Sequence, residues 1–203
     1  MGDLTLQQVV LRIGATVLIA AVNGFAVAAL ACALGDPGPR HDERLTMNPL
    51  RHLDVVGGLL SVLFGFGWIR PIAVDPDRLR LGRAGLLAVV TGASCATIAL
   101  AEGLLLTRPA MLNLLPDTAA ATFFVFVETV CQLCVAFTLF NLLPLPPLAG
   151  QHWLVMAWPN GKETIRRAQP YGAVVLALLI IGGVVARLLT PADAILLHVL
   201  LPH

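Results

Sequence analysis

The sequence predicts an all-α integral membrane protein, a bundle of about five transmembrane helices, one of them short or re-entrant, with a short hairpin-like loop after the first. Three observations predict it. Hydrophobic residues make up 58% of the chain and charged residues only 12%, where a soluble domain is nearer half and a quarter. Apolar runs close to or beyond the ~20 residues that a bilayer requires recur along the chain. Pro144, Pro146 and Pro147 then close one of the longest of these runs. Each proline removes a backbone donor, a loss tolerated inside hydrocarbon only where protein shields the backbone. The formal net charge of +1 offers neither a nucleic-acid footprint nor a polybasic lipid patch.

The elements follow in order. Met1-Gly2-Asp3 carries no basic n-region, and no small-residue cleavage pattern follows a short apolar core, so the first run is expected to be a retained helix. That run, 6–34, exceeds the minimum for a span and is free to tilt. Arg12 lies near its start, where it is expected to snorkel to the interface. Gly35-Asp36-Pro37-Gly38-Pro39 ends the helix with stop residues in succession. Residues 40–54 are polar, and the alternation in Arg44-Leu45-Thr46-Met47 points to a short strand or hairpin. Segment 55–69 is apolar but marginal in length, with Gly57, Gly58, Gly65 and Gly67. It reads as a short helix or as a re-entrant segment held by its neighbours.

Residues 84–106 form a clear span, with Glu102 expected at the interface, and 107–118 a turn. The span 119–143 bears Glu128 deep inside. Residues 144–169 read as a loop whose Trp153, Trp158, Lys162, Arg166 and Arg167 mark the membrane boundary. The last span is 171–189. Pro191-Ala192-Asp193 interrupts the run, leaving 194–201 as a short interfacial tail. If 55–69 crosses, Arg70, Arg78, Arg80, Arg83, Lys162, Arg166 and Arg167 share the side of the N-terminus, against Arg40, Arg44, Arg51, Arg108 and Arg187 on the other. The balance tips toward a cytoplasmic N-terminus, in what is expected to be a bacterial inner membrane. No repeat or low-complexity linker divides the chain, so a single domain, 1–203, is expected.

Residues that carry chemistry are few. Cys32, Cys95, Cys131 and Cys134 all lie in apolar runs and read as small packing residues. Cys131 and Cys134 are an i,i+3 pair on one helix face, with no second pair to complete a zinc site. His41, Asp42, Glu43, His52 and Asp54 are candidate metal ligands, but a metal needs three or four that converge. His152, His198 and His203 are scattered and read as interfacial or terminal. No Gly-x-Ser-x-Gly, phosphate loop or Gly-x-Gly-x-x-Gly is present, and Ser61 and Ser94 have no nearby His or Lys in sequence. Glu128 is expensive in hydrocarbon. It calls for a hydrogen bond within the bundle or a contact with a partner helix, a quinone or a proton path. Asn23 is the second intramembrane polar group, able to bond across helices, while Gly14, Gly24, Gly182 and Gly183 permit close helix approach.

Asn141-Leu142-Leu143-Pro144-Leu145-Pro146-Pro147-Leu148-Ala149-Gly150 resembles the Asn-x-x-Pro-x-Pro-x-Leu-Asp-Gly signature of site-2 proteases, the intramembrane zinc metalloproteases, in their short form without a PDZ domain. Leu34-Gly35-Asp36 with 44–54 is similar to the family's segment after its first catalytic helix. Phe66-Gly67-Trp68-Ile69-Arg70-Pro71-Ile72 resembles its Phe-Gly-Trp-x-Lys-Pro-Val, and Gln169-Pro170-Tyr171-Gly172 its final-helix entry. The resemblance implies a zinc held by His-Glu-x-x-His and the motif Asp, with the Glu activating water. Here the first His falls on Asn23, the Glu on Gly24, the second His on Val27 and the Asp on Ala149. Gly-Pro-x-x-Asn on the middle span becomes Gly92-Ala93-Ser94-Cys95-Ala96. No imidazole or carboxylate stands at these positions, so the zinc cofactor is expected to be lost, and Gly24 has no proton acceptor.

The reading that follows is a catalytically inactive member that acts by binding transmembrane helices in the old groove, with lipids as its other neighbours. Asn23, Glu128 and Asn141 are its candidate polar contacts. A permanent client would make it an accessory subunit of a larger respiratory or photosynthetic complex, a transient one a regulator or chaperone. Two alternatives stand beside it: an active metalloprotease with an atypical site, and a small transporter using Glu128.

Overall fold

The structure is a computed structural model. It describes residues 5–200, apart from the side chains of Pro159, Val199 and Leu200. Met1-Gly2-Asp3 and His203 lie outside these residues. Among them every regular element is helical, and four helices have the length and composition to cross a membrane.

The first of these, α1 (Leu6–Ala33), opens on a capping box in which Thr5 accepts from the Gln8 amide and Gln8 answers to the Thr5 amide. This satisfies two of the orphan donors of its first turn. It stops where Gly35 takes a φ of 113°, a left-handed turn that a side chain would strain. Two single-turn helices follow, α2 (Gly38–His41) and α3 (Pro49–His52), then α4 (Val55–Phe64). The strand or hairpin expected at 44–47 is absent. Arg44 turns its guanidinium onto the carbonyls of Arg51 and Pro71, and only a single bridge, Leu53 to Ile69, pairs backbone in this region.

Segment 55–69 does not cross. Its entry and exit meet at the C-terminal end of α1: the Asp75 amide donates to Asp36 Oδ2 at 2.8 Å, and the Arg80 amide to the Leu34 carbonyl at 2.8 Å. Between these points the chain descends beside α1 and returns. Ser61 and Thr16 bond through their hydroxyls at 3.0 Å, and Arg12 Nη1 reaches the carbonyls of Val62 and Leu63 at 3.0 and 3.3 Å. Arg12 therefore does not snorkel outward. It neutralises the exposed carbonyls at the C-terminal end of α4, the negative end of that helix, where Gly65 (φ 82°) reverses the chain. The seven-to-five division of basic residues assumed a crossing here, and the premise fails.

Helix α5 (Arg83–Leu114) runs antiparallel to α1, and α6 (Asp117–Asn141) returns beside both. The turn expected at 107–118 shrinks to Leu115-Pro116, because α5 continues through Pro109. The loop expected over 144–169 contains α7 (Gln151–Ala157), a 3-10 turn and the start of α8 (Lys162–Ile181). Lys162 Nζ holds Asp75 Oδ1 at 2.7 Å, fixing α8 to the exit of the re-entrant arm. The helix breaks at Gly182-Gly183, where Gly183 has φ 72°. Pro191 lies within α9 (Val184–Leu200).

Three apolar clusters follow one another through the bundle. One joins Val27 and Ala31 to Leu86, Val89 and Ala93. A second sets Ala15 and Ile19 against Ala101, Val127 and Cys131. The third packs Leu60, Phe66 and Trp68 of the re-entrant arm on Phe140, Leu148 and Leu176.

Candidate functional site

The positions that the motifs single out converge. Asn23 and Val27 of α1 line one small cavity together with Asn141, Ala149 and His152. The proline-rich segment delivers Ala149 there. The Asn141 carbonyl accepts from the Gly150 amide at 2.7 Å, and the Asn141 amide group donates to the Gly67 carbonyl at 3.1 Å. Asn141 thus ties the end of α6, the loop bearing Ala149 and the returning arm into one unit. Asn23, buried, gives its amide to the Thr97 hydroxyl at 2.9 Å and the Ala93 carbonyl at 3.3 Å. Its donor group is committed to α5.

Gly24 lies under His52. A Cβ added at Gly24 would stand 2.2 Å from both Cγ and Nδ1 of that ring. The fully buried His52 faces the Thr46 carbonyl through Nε2 at 2.8 Å. A carbonyl only accepts, so Nε2 carries the proton, and Nδ1 is left as an acceptor without a partner. Burial lowers the pKa of His52 below its ordinary value. A neutral imidazole thus fills the space that a side chain at residue 24 would use.

A resident zinc requires three or four converging ligands of imidazole, thiolate or carboxylate type. The cavity offers an amide at 23, an isopropyl at 27 and a methyl at 149, with His152 as its one imidazole. Among the described residues no group of three His, Cys, Asp or Glu could hold a metal ion. The donor set does not fit zinc. At about 30 Å³ the cavity has room for a water molecule or two. Asp54 caps α4 by accepting from the Gly57 amide at 2.8 Å, and Glu43 pairs with Arg51. Neither turns toward His52 as a co-ligand. His152, which reads from sequence as interfacial or terminal, belongs to the cavity wall, and Gln151, which no motif singles out, stands beside it. Their place two and three residues past Ala149 was the available signal.

Glu128 is exposed on the outer face of α6, with no hydrogen bond or ion pair among the described residues. Glu102 is exposed on α5 and equally unpaired. It lies mid-helix rather than at an end, because α5 extends to Leu114. The two are near one level, since Cys131 Sγ meets the Ala101 carbonyl at 3.9 Å. Cys131 and Cys134 are free thiols in the core.

No protein-family model matches the chain, and no solved structure matches it. It is 33% identical over 177 residues, 84% of its own length and 80% of the other's, to the Bacillus subtilis (strain 168) protein named "Putative zinc metalloprotease YwhC". With the motif order along the chain and the convergence of Asn23, Val27 and Ala149 in one cavity, that likeness gives the family. The chain belongs to the site-2 protease-like family of membrane proteins.

Proposed function

We propose that the chain is a non-hydrolytic member of this family that acts by binding transmembrane helices, as an accessory subunit of a larger complex in a bacterial inner membrane. One observation carries the reading: the inherited positions still meet, but they present no metal-ligating side chain, and His52 fills the place beside Gly24. The exposed carboxylates Glu102 and Glu128 add support. On α6, 25 residues long, any placement of a 30 Å hydrocarbon layer leaves Glu128 at least about 9 Å deep. Unpaired carboxylates at such depth face a partner or a water-filled space. The apolar surroundings, exposed Val125 and Leu106 among them, favour a partner helix.

The test is elemental analysis of the purified chain together with incubation against a transmembrane substrate. The expected result is zinc far below one per chain, no cleavage, and a companion protein at fixed ratio in mild detergent. Stoichiometric zinc with cleavage would establish the active-protease alternative. A clean monomer would remove the subunit reading.

Orientation belongs to the same proposal. With 36–82 entering and leaving at one end, Arg40, Arg78, Arg80, Arg83, Lys162, Arg166 and Arg167 gather at the C-terminal end of α1, and Arg44, Arg51 and Arg70 lie on the arm that hangs from it. The other end has only Arg12 and Arg108 among the residues that α1, α5 and α6 place. Cytoplasmic segments carry the excess of Lys and Arg, so the N-terminus lies on the outer side. Leu6→Cys is expected to react with an impermeant maleimide on intact cells, and Arg80→Cys only after lysis. The reverse pattern would refute this orientation.

A further inference from the structure

A groove opens sideways between α1 and the re-entrant arm. Its wall includes Val9, Ile13, Val17, Leu59 and Leu63, and it encloses about 600 Å³, within the range of pockets that bury whole ligands. That is roughly half the volume of three turns of a helix about 10 Å across, so a flexible chain suits it better than a second helix.

One end of this apolar slot is cationic. Arg70 lines it, exposed, and its guanidinium forms no ion pair or hydrogen bond among the described residues. Asp54, the acid in the same wall, already caps α4. Arg44 stands close by, its guanidinium spent on backbone carbonyls. Its pKa is lowered by burial and then by the positive charge of Arg70. An anion at this end would relieve that repulsion. The Arg70 amide donates to the His52 carbonyl at 2.7 Å, and His52 packs on Gly24. Arg70 therefore lies roughly 14 Å inside the C-terminal end of α1, within snorkelling reach of a headgroup.

We propose that this groove holds an acyl chain of an anionic phospholipid, with the lipid phosphate on Arg70 and the second charge of Arg44 behind it. The lipid belongs to the leaflet at which the re-entrant arm enters. Basic pockets beside membrane helices recognise acidic headgroups in this manner. The groove and the cavity at Asn23 and Ala149 share Arg70 in their walls, but the headgroup preference of the groove is read by lipid binding and not by cleavage.

Delipidated full-length protein should be titrated with phosphatidylglycerol and with phosphatidylcholine of identical chains and followed by native mass spectrometry. One phosphatidylglycerol is expected to remain bound, preferred about tenfold over phosphatidylcholine. Arg70→Gln should bring that preference to within about twofold. Gly58→Phe should expel both lipids, because a Cβ at Gly58 meets only Leu53 Cδ2, at 3.7 Å, and the ring can enter the groove without touching backbone. Equal binding of the two lipids by the unaltered chain overturns the proposal, as does a preference unchanged by Arg70→Gln. If Gly58→Phe fails to fold, the headgroup comparison and Arg70→Gln still decide.

Discussion

Gly24→Ala is expected to lower the stability of the fold by about 2–3 kcal/mol, the upper part of the range for overpacking a tight interior. The added methyl would stand 2.2 Å from two atoms of the His52 ring and 2.8 Å from its Cβ. The ring has little freedom to withdraw, being fully buried and held to the Thr46 carbonyl. Thermal unfolding in one detergent measures the effect. His52→Ala removes the two nearest atoms and leaves only the 2.8 Å approach, so the double variant should be more stable than the sum of the single losses by about 1 kcal/mol or more. Strict additivity would show that Gly24 and His52 do not share the space. The consequence for the family chemistry is direct. Writing His, Glu, His and Asp back at 23, 24, 27 and 149 also puts a side chain at 24 onto the His52 ring. That quadruple variant should be less stable than the triple variant that keeps Gly24. Rebuilding the motif here therefore carries a packing cost at residue 24, where the added side chain meets the His52 ring.

How much of this was legible beforehand differs by element. Helix α1 was readable because its stop is chemical and local: Gly35, Asp36 and the prolines after it permit no other continuation. Helices α5 and α6 were readable as spans, but their ends were not. Thr107, Arg108 and Pro109 look like punctuation, yet the helix runs through them, because Pro109 withholds only one donor and the remaining turns carry it. Conversely, Gly182-Gly183 reads from sequence as a site of close helix approach but is where the last apolar run breaks, while Pro191 reads as its interruption but lies within a helix.

The re-entrant arm was legible only as an alternative. Its length is marginal for a span, and nothing local distinguishes a chain that crosses from one that turns back. The deciding contacts are long-range: Asp36 with Asp75, Leu34 with Arg80, Arg12 with the end of α4. Arg12 illustrates the difficulty. On sequence an arginine near a helix start belongs to the interface; in the fold it is drawn inward, because α4 ends in unpaired carbonyls that hydrocarbon cannot satisfy. At the cavity, the motif spacing singled out Asn23, Val27 and Ala149, and all three line it. The His52 ring over Gly24 was out of reach, since it depends on how the arm folds back. Residues 44–47 alternate like a strand, but Arg44 takes the carbonyls that a strand partner would have used.

Glu128→Lys is expected to strip the chain of its companion, and Glu128→Leu to weaken the companion while making the isolated chain more stable. The argument turns on depth. A charge near the centre of a membrane helix costs about 2.5–3.5 kcal/mol on insertion scales, and α6 leaves no placement in which Glu128 escapes to a boundary. Nothing inside the fold repays that cost, because Glu128 and Glu102 face outward and pair with nothing among the described residues. A stabilising role within the chain would therefore predict loss of stability in Glu128→Leu. A role toward a partner predicts the opposite for the chain alone, and a loss seen only when the companion is counted. Co-purification at fixed ratio and thermal unfolding of the stripped chain separate the two. Glu128→Lys keeps one charge at the same depth on the same outward face, so it should leave the chain folded while the companion departs. Full retention of the companion in both variants would move the docking face away from α5 and α6.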